Sequence, residues 1–136
     1  MLAVVDSGPL LASVDAGDPD HAACVEALRQ PGLALLISAL CVAEVSYLLG
    51  NRYGAQIESR FVRSLANFHV IAPEPDDWKR IADLVRQYAD LGLGATDASV
   101  VVLAERNRTN LVITLDYRHF NVVRDRNGNP FKLLPD

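Results

Sequence analysis

Four carboxylates stand in this chain where a fold has little need of them, and together they point to phosphodiester chemistry at a hard metal ion. Asp6 follows the apolar run Leu2-Ala3-Val4-Val5, and Asp116 follows Leu111-Val112-Ile113-Thr114-Leu115. Each acid thus closes what reads as a buried strand at its carboxyl end. In open α/β sheets, ligands bind outside those ends, where the strand order reverses. One Asp after a strand is more often a cap for the next turn, but two invite a shared site.

Glu44 is more telling. On a helix its neighbours three and four residues away are Leu40, Cys41, Tyr47 and Leu48, an apolar face. A charge there is costly unless paired or bound to a metal, so Glu44 is expected to point inward. The plainer alternatives are a carboxylate at the edge of that face, or a pair with Arg52. Asp97 opens a helix in which Val100 and Val101 follow at the same spacings. The helix dipole alone favours a first-turn acid, yet this face is again apolar. Carboxylates that converge without basic partners resist ionisation. Mg²⁺ or Mn²⁺ resolves the conflict, because hard divalent ions prefer oxygen ligands. Such a centre can generate a hydroxide and neutralise a phosphodiester transition state.

The elements that must position these acids alternate along the chain. A strand at residues 2–5 precedes a helix to about Val14, with Ser7 as its expected N-cap and Pro9 in its first turn. Asp18-Pro19 signals a second helix to about Arg29, stopped by Pro31-Gly32. A strand over 33–37 leads through a Ser38 cap to a helix over 39–49. Gly50 and Gly54 bracket a break before a helix over 56–67. A short strand over 69–71, helices over 74–89 and 96–106, and strands over 111–115 and 131–134 complete the chain. Short buried strands alternating with helices imply an α/β sandwich around a mostly parallel sheet, in one domain over 1–136.

Several segments now combine. Val4-Val5-Asp6-Ser7 with Leu10-Leu11, and Glu44 within Ser38-Ala39-Leu40-Cys41-Val42-Ala43-Glu44-Val45, come first. Leu93-Gly94-Ala95-Thr96-Asp97-Ala98 follows, then Thr114-Leu115-Asp116 with Arg118-His119-Phe120. In this order and at these intervals they resemble a PIN domain, and more narrowly the VapC ribonuclease toxins of type II toxin–antitoxin pairs. The likeness spans nearly the whole chain. It implies a PIN-like three-layer sandwich, with a five-stranded parallel sheet in the order 3-2-1-4-5 flanked by helices. That order sets Asp6 beside Asp116 at the switch point.

The resemblance also implies an activity: Mg²⁺-dependent endonucleolytic cleavage of structured RNA, a tRNA or rRNA loop, with Mn²⁺ as a substitute. Translation would stop, and a VapB-type antitoxin would neutralise the toxin, which is expected to be a homodimer. Asp6, Glu44 and Asp97 match the three core acids of the family. Asp116 matches the fourth, which is less regular and can act through water. Ser7 and Thr114 fall where family hydroxyls support the site. No acid is missing, which weighs against the alternative of a non-catalytic PIN-like module that binds RNA or protein. A phosphotransfer domain fits less well, because Asp6 stands without an adjacent acid and neither lysine follows a suitable strand.

All but two of the 13 basic residues are Arg, the better partner for forked phosphate contacts. Arg118, two residues after Asp116, is the leading RNA-binding candidate, followed by Arg52 and Arg60; Arg63, Arg124 and Arg126 belong to the same groups. An exposed Arg that merely solvates a face is the plainer reading of each. His119 is assigned to packing or capping, since a nearby metal makes a general base unnecessary. His21 and His69 read as structural. Trp78 and Tyr88, ten residues apart on one helix, read as core or dimer contacts. By the same resemblance, the first helix and residues 38–67 are where an antitoxin helix docks in a groove.

Composition narrows the rest. With 50% hydrophobic and 22% charged residues, a chain of 136 can bury a core without disulfides or metal staples. Cys24 and Cys41 lack metal-ligand spacing and read as buried thiols in a reducing cytosol, so a cytoplasmic protein is expected. No P-loop, nucleophile elbow or dinucleotide fingerprint is present. The net charge of −4 argues against nucleic-acid binding by bulk electrostatics but not against local contacts. The uncharged apolar stretch from Leu33 to Ala43 is far short of the roughly 20 residues of a membrane span. Asp6 interrupts the first apolar run with no basic region before it, so no signal peptide is expected.

Overall fold

Each of the first two strands leads into a polar residue at the N-cap position of the next helix. In the computed structural model, which describes Met1–Asp136, β1 (Leu2–Val5) stops at Asp6 and β2 (Ala34–Ser38) runs into α3 (Ala39–Tyr53). Two short helices, α1 (Ser7–Val14) and α2 (His21–Leu28), connect them. After α4 (Ala55–Ser64) and a single 3₁₀ turn come β3 (His69–Ile71) and α5 (Pro75–Gln87). A second 3₁₀ turn, Ala89–Leu91, leads to α6 (Ala95–Arg106), then β4 (Leu111–Ile113), α7 (Tyr117–Phe120) and β5 (Lys132–Leu134).

All four strand pairings are parallel and the order is β3-β2-β1-β4-β5, as the resemblance implied. Val4 and Val5 lie opposite Leu36 and Ile37 on one side and Val112 and Ile113 on the other. The order reverses between β1 and β4. Since parallel crossovers are right-handed, the reversal puts α5 and α6 on the face opposite α1 to α4. Helix α6 packs on β1, β2 and β4, and α3 packs on β2 and β3. Val4, Val5, Ile37, Val100, Val101, Val112 and Ile113 are fully enclosed between these layers. Near-continuous apolar strands are what a sheet covered on both faces requires.

Several boundaries differ from those read in the sequence. Helix α3 does not break at Gly50 but continues to Tyr53. At Gly50 a Cβ would lie 2.6 Å from Glu58 Oε1, so the Glu58 carboxylate of α4 lies close over this glycine. The chain turns only at Gly54, whose φ of 90° and ψ of 176° favour glycine. Strand β4 ends at Ile113 rather than Leu115, because the Thr114 hydroxyl accepts the Asp116 N–H at 2.9 Å and closes a local turn. Ser7 is the first residue of α1, not its cap; Asp6 holds the cap position. Helix α7 had no counterpart in the sequence reading. Trp78 is half exposed, so it is no core residue, whereas the Tyr88 hydroxyl accepts a hydrogen bond from the Arg124 N–H. No helix is long and apolar enough to cross a membrane.

Candidate metal centre

The parallel sheet brings Asp6 and Asp116 to its carboxyl edge on adjacent strands, 110 positions apart in sequence but joined through one hydroxyl. Thr114 Oγ1 donates to Asp6 Oδ2 at 2.8 Å and accepts the Asp116 N–H at 2.9 Å. Asp6 is 5% exposed. Its carboxylate makes no capping bond to α1, where Pro9 at the third helical position has no N–H to offer. Capping therefore does not explain this buried acid. Burial pushes the Asp6 pKa up to about 6; hydrogen bonds from Thr114 and the Ser7 backbone oppose this, and Asp97 and Asp116 add repulsion.

Asp97 reaches the same edge from the first turn of α6. Ser38 Oγ and Ser99 Oγ meet at 2.7 Å, and Ser99 donates to the Thr96 carbonyl, which ties the start of α3 to the start of α6. The Asp97 carboxylate accepts the Gly94 N–H at a long 3.4 Å. Its pKa is raised, mainly by burial, with Asp116 and Glu44 contributing repulsion. Oxygens of Asp97 and Asp116 and a ring nitrogen of His119 lie within 4.8 Å of one another. Three aspartates thus converge.

Glu44 does not point inward. The buried stripe of α3 is Cys41, Val45 and Leu49, and Glu44 lies beside that stripe, exposed at the rim. Tyr47, one turn on, is 68% exposed, so the face that looked apolar is open to solvent. Glu44 still belongs to the neighbourhood, because its charge raises the pKa of both Asp97 and Cys41. The Cys41 thiol is 3.9 Å from Asp6 Oδ1 and its pKa is strongly raised, chiefly by burial and then by Asp6.

The cations are elsewhere. No Arg or Lys forms an ion pair with Asp6, Glu44, Asp97 or Asp116. Arg118 and Arg60 are exposed and unpaired. Arg52, in the last turn of α3, acts on Asp15 and Tyr53, about 12 Å along the axis beyond Glu44. The structure does not bring Arg52 to the acids.

One residue of the site was assigned otherwise in the sequence. His119 donates from Nδ1 to Asp116 Oδ2 at 2.5 Å and from Nε2 to the Leu91 carbonyl at 3.0 Å. The Leu91 carbonyl can only accept, so Nε2 carries an N–H, and Nδ1 shares a short hydrogen bond with the Asp116 carboxyl group. Burial lowers its pKa, but the Asp116 carboxylate and the Leu91 carbonyl raise it to a net increase. The cap of α7 is Asp116, whose Oδ1 accepts the His119 backbone N–H, so His119 does not itself cap the helix. The missed signal was the three-residue spacing from Asp116 across a helical turn.

The donor set suits a hard divalent cation. The oxygens gathered here belong to carboxylates that repel one another, and no Arg or Lys is paired with them. The Ser7 hydroxyl beside Asp6 is buried with no hydrogen-bond partner, a polar atom left for a ligand or its water.

Comparison with known proteins agrees with this architecture. The PIN domain family model matches residues 3–125. The chain is 37% identical to Ribonuclease VapC26 of Mycobacterium tuberculosis over 134 residues, covering 97% of this chain and 99% of that protein. Its fold is similar to the crystal structure of M. tuberculosis VapC20, a sarcin–ricin loop cleaving toxin, with a TM-score of 0.74 and 15% identity over 81% of this chain and 86% of that one. It is also similar to Rickettsia felis VapBC2 bound to a fragment of promoter DNA, with a TM-score of 0.71 and 14% identity over 98% of each chain. On its family match and its VapC relative, the chain belongs to the PIN-domain family, among the VapC ribonuclease toxins.

Proposed function

We propose that this protein is the toxin of a type II toxin–antitoxin pair, an endoribonuclease that needs Mg²⁺ or Mn²⁺ to cut a structured RNA loop. The observation that carries the reading is the buried Asp6, held among acids with no Arg or Lys to compensate it. Asp6, Asp97 and Glu44 would hold the cation. When bound, it supplies Lewis acidity to the scissile phosphate and to an attacking water. Asp116 orients that water, and Thr114 keeps the Asp6 oxygen turned toward the site. Ser7 offers its free hydroxyl to the same space. Attack on phosphorus leaves a 5′-phosphate and a 3′-hydroxyl.

Arg118 and Arg60, both exposed and free of ion pairs, are the candidates to hold RNA phosphates. Arg52 lies farther off and fits only a long substrate. A VapB-type antitoxin is the expected partner, since VapBC2 and a Klebsiella pneumoniae toxin–antitoxin complex are among the similar structures. The protein acts as a homodimer in the cytoplasm, where its RNA substrate is.

The test is incubation of purified protein with total RNA in Mg²⁺, Mn²⁺ or EDTA, beside Asp6→Ala, with mapping of new 5′ ends. Discrete cation-dependent cuts absent from the variant support the reading. A folded, antitoxin-free protein that cuts nothing shifts the assignment to a binding module.

A further inference from the structure

An unbroken hydrogen-bond chain crosses the carboxyl edge of the sheet. His119 Nε2 donates to the Leu91 carbonyl, and Nδ1 donates to Asp116 Oδ2. The Asp116 N–H donates to Thr114 Oγ1, which donates to Asp6 Oδ2. Two links have a fixed direction, because the Leu91 carbonyl can only accept and the Asp116 N–H can only donate. The chain begins in the turn that precedes α6, the helix of Asp97, and ends on the acid of β1. His119 is its anchor.

His119 also engages both oxygens of Asp116, one through its ring and the other through its backbone N–H at 3.1 Å. That carboxylate therefore cannot rotate freely toward Asp97. Both ring nitrogens are already bonded, so a metal could take one only by breaking a bond to Asp116 or to Leu91. Its position within 4.8 Å of the acids thus has another explanation than ligation.

We propose that His119 is a positioning residue of the cation site: it fixes Asp116, and through the Leu91 turn it sets the distance between Asp116 and Asp97. This rests on the cation reading above. Partners that hold a metal-binding acid in place typically affect affinity or activity by about 10–100-fold.

The experiment titrates the metal-free protein with Mn²⁺, following free Mn²⁺ by electron paramagnetic resonance, for wild type, His119→Ala, His119→Gln and Asp97→Asn. Circular dichroism establishes that each is folded, and cleavage is followed in parallel. His119→Ala is expected to weaken Mn²⁺ binding by about 10–100-fold and to lower kcat while leaving KM for RNA unchanged. His119→Gln, which can still donate to Asp116, recovers part of both, and it carries the measurement if the Ala variant does not fold. Bound Mn²⁺ in the wild type shows no coupling to a ring ¹⁴N. The inference is overturned by Mn²⁺ affinity within about twofold of wild type in both variants, by a Gln variant no better than Ala, or by a ¹⁴N coupling that makes His119 a ligand. Unchanged binding in Asp97→Asn overturns the cation reading instead.

Discussion

Thr114 donates a hydrogen bond to Asp6 across neighbouring strands, at 2.8 Å, and both residues are buried. One hydroxyl thereby orients an acid it could never meet by local structure. It also accepts the N–H of Asp116, so two of the four acids depend on a single side chain.

That dependence predicts an asymmetry. Thr114→Val removes the hydroxyl and leaves the Asp116 N–H without its partner, which should destabilise the fold by about 1–3 kcal/mol. Thr114→Ser keeps both bonds and should lose less than about 1 kcal/mol. Urea unfolding of the two variants checks this, and equal losses would refute the shared-hydroxyl account.

Asp6 makes stability pH-dependent. Its folded pKa of about 6 lies above the ordinary 3.8, so the folded state holds the proton more tightly than the unfolded chain. The associated stability is complete below pH 3.8 and is lost as pH rises through 6. A shift of about two units corresponds to about 3 kcal/mol. Metal-free protein should therefore unfold at lower urea at pH 7.5 than at pH 4.5, and Asp6→Asn should flatten that difference while abolishing cleavage. A variant whose pH dependence matches wild type would contradict this account of Asp6.

A bound cation should reverse the penalty. At about 100 times its dissociation constant, Mn²⁺ stabilises the fold by about 2.7 kcal/mol if it binds only the folded state. Thermal unfolding at pH 7.5 should shift upward with Mn²⁺ in wild type and not in Asp97→Asn. No shift in the wild type would count against the site.

Glu44 separates activity from stability. It is exposed at the rim, so Glu44→Gln should change stability by less than about 0.5 kcal/mol. If it helps hold the cation, cleavage should still fall by about 10–100-fold. Parallel denaturation and cleavage assays test both halves, and undiminished cleavage would remove Glu44 from the site.

Gly54 is the conformational counterpart. Its φ of 90° and ψ of 176° are essentially confined to glycine, so Gly54→Ala should destabilise the protein by about 1–3 kcal/mol. Chemical denaturation measures the loss; a neutral substitution would mean that the turn between α3 and α4 relaxes at little strain.

The strands, their parallel character and the place of Asp6 and Asp116 after strand ends were legible in the residues. Apolar runs that end in acids carry their burial and their polarity within a few positions, and the resemblance supplied the order of the sheet. What the sequence could not decide depends on groups far apart along the chain. Glu44 sits among apolar neighbours, yet it is exposed, because only packing chose the Cys41, Val45 and Leu49 stripe as the buried one. Gly50 stayed helical, and the chain turned only at Gly54, where φ is 90°. His119 became the anchor of the acids only when the turn at Leu91 came to rest beside α7. The elevated pKa of Asp6 is likewise tertiary, since desolvation is a property of the enclosing layers and not of the residue.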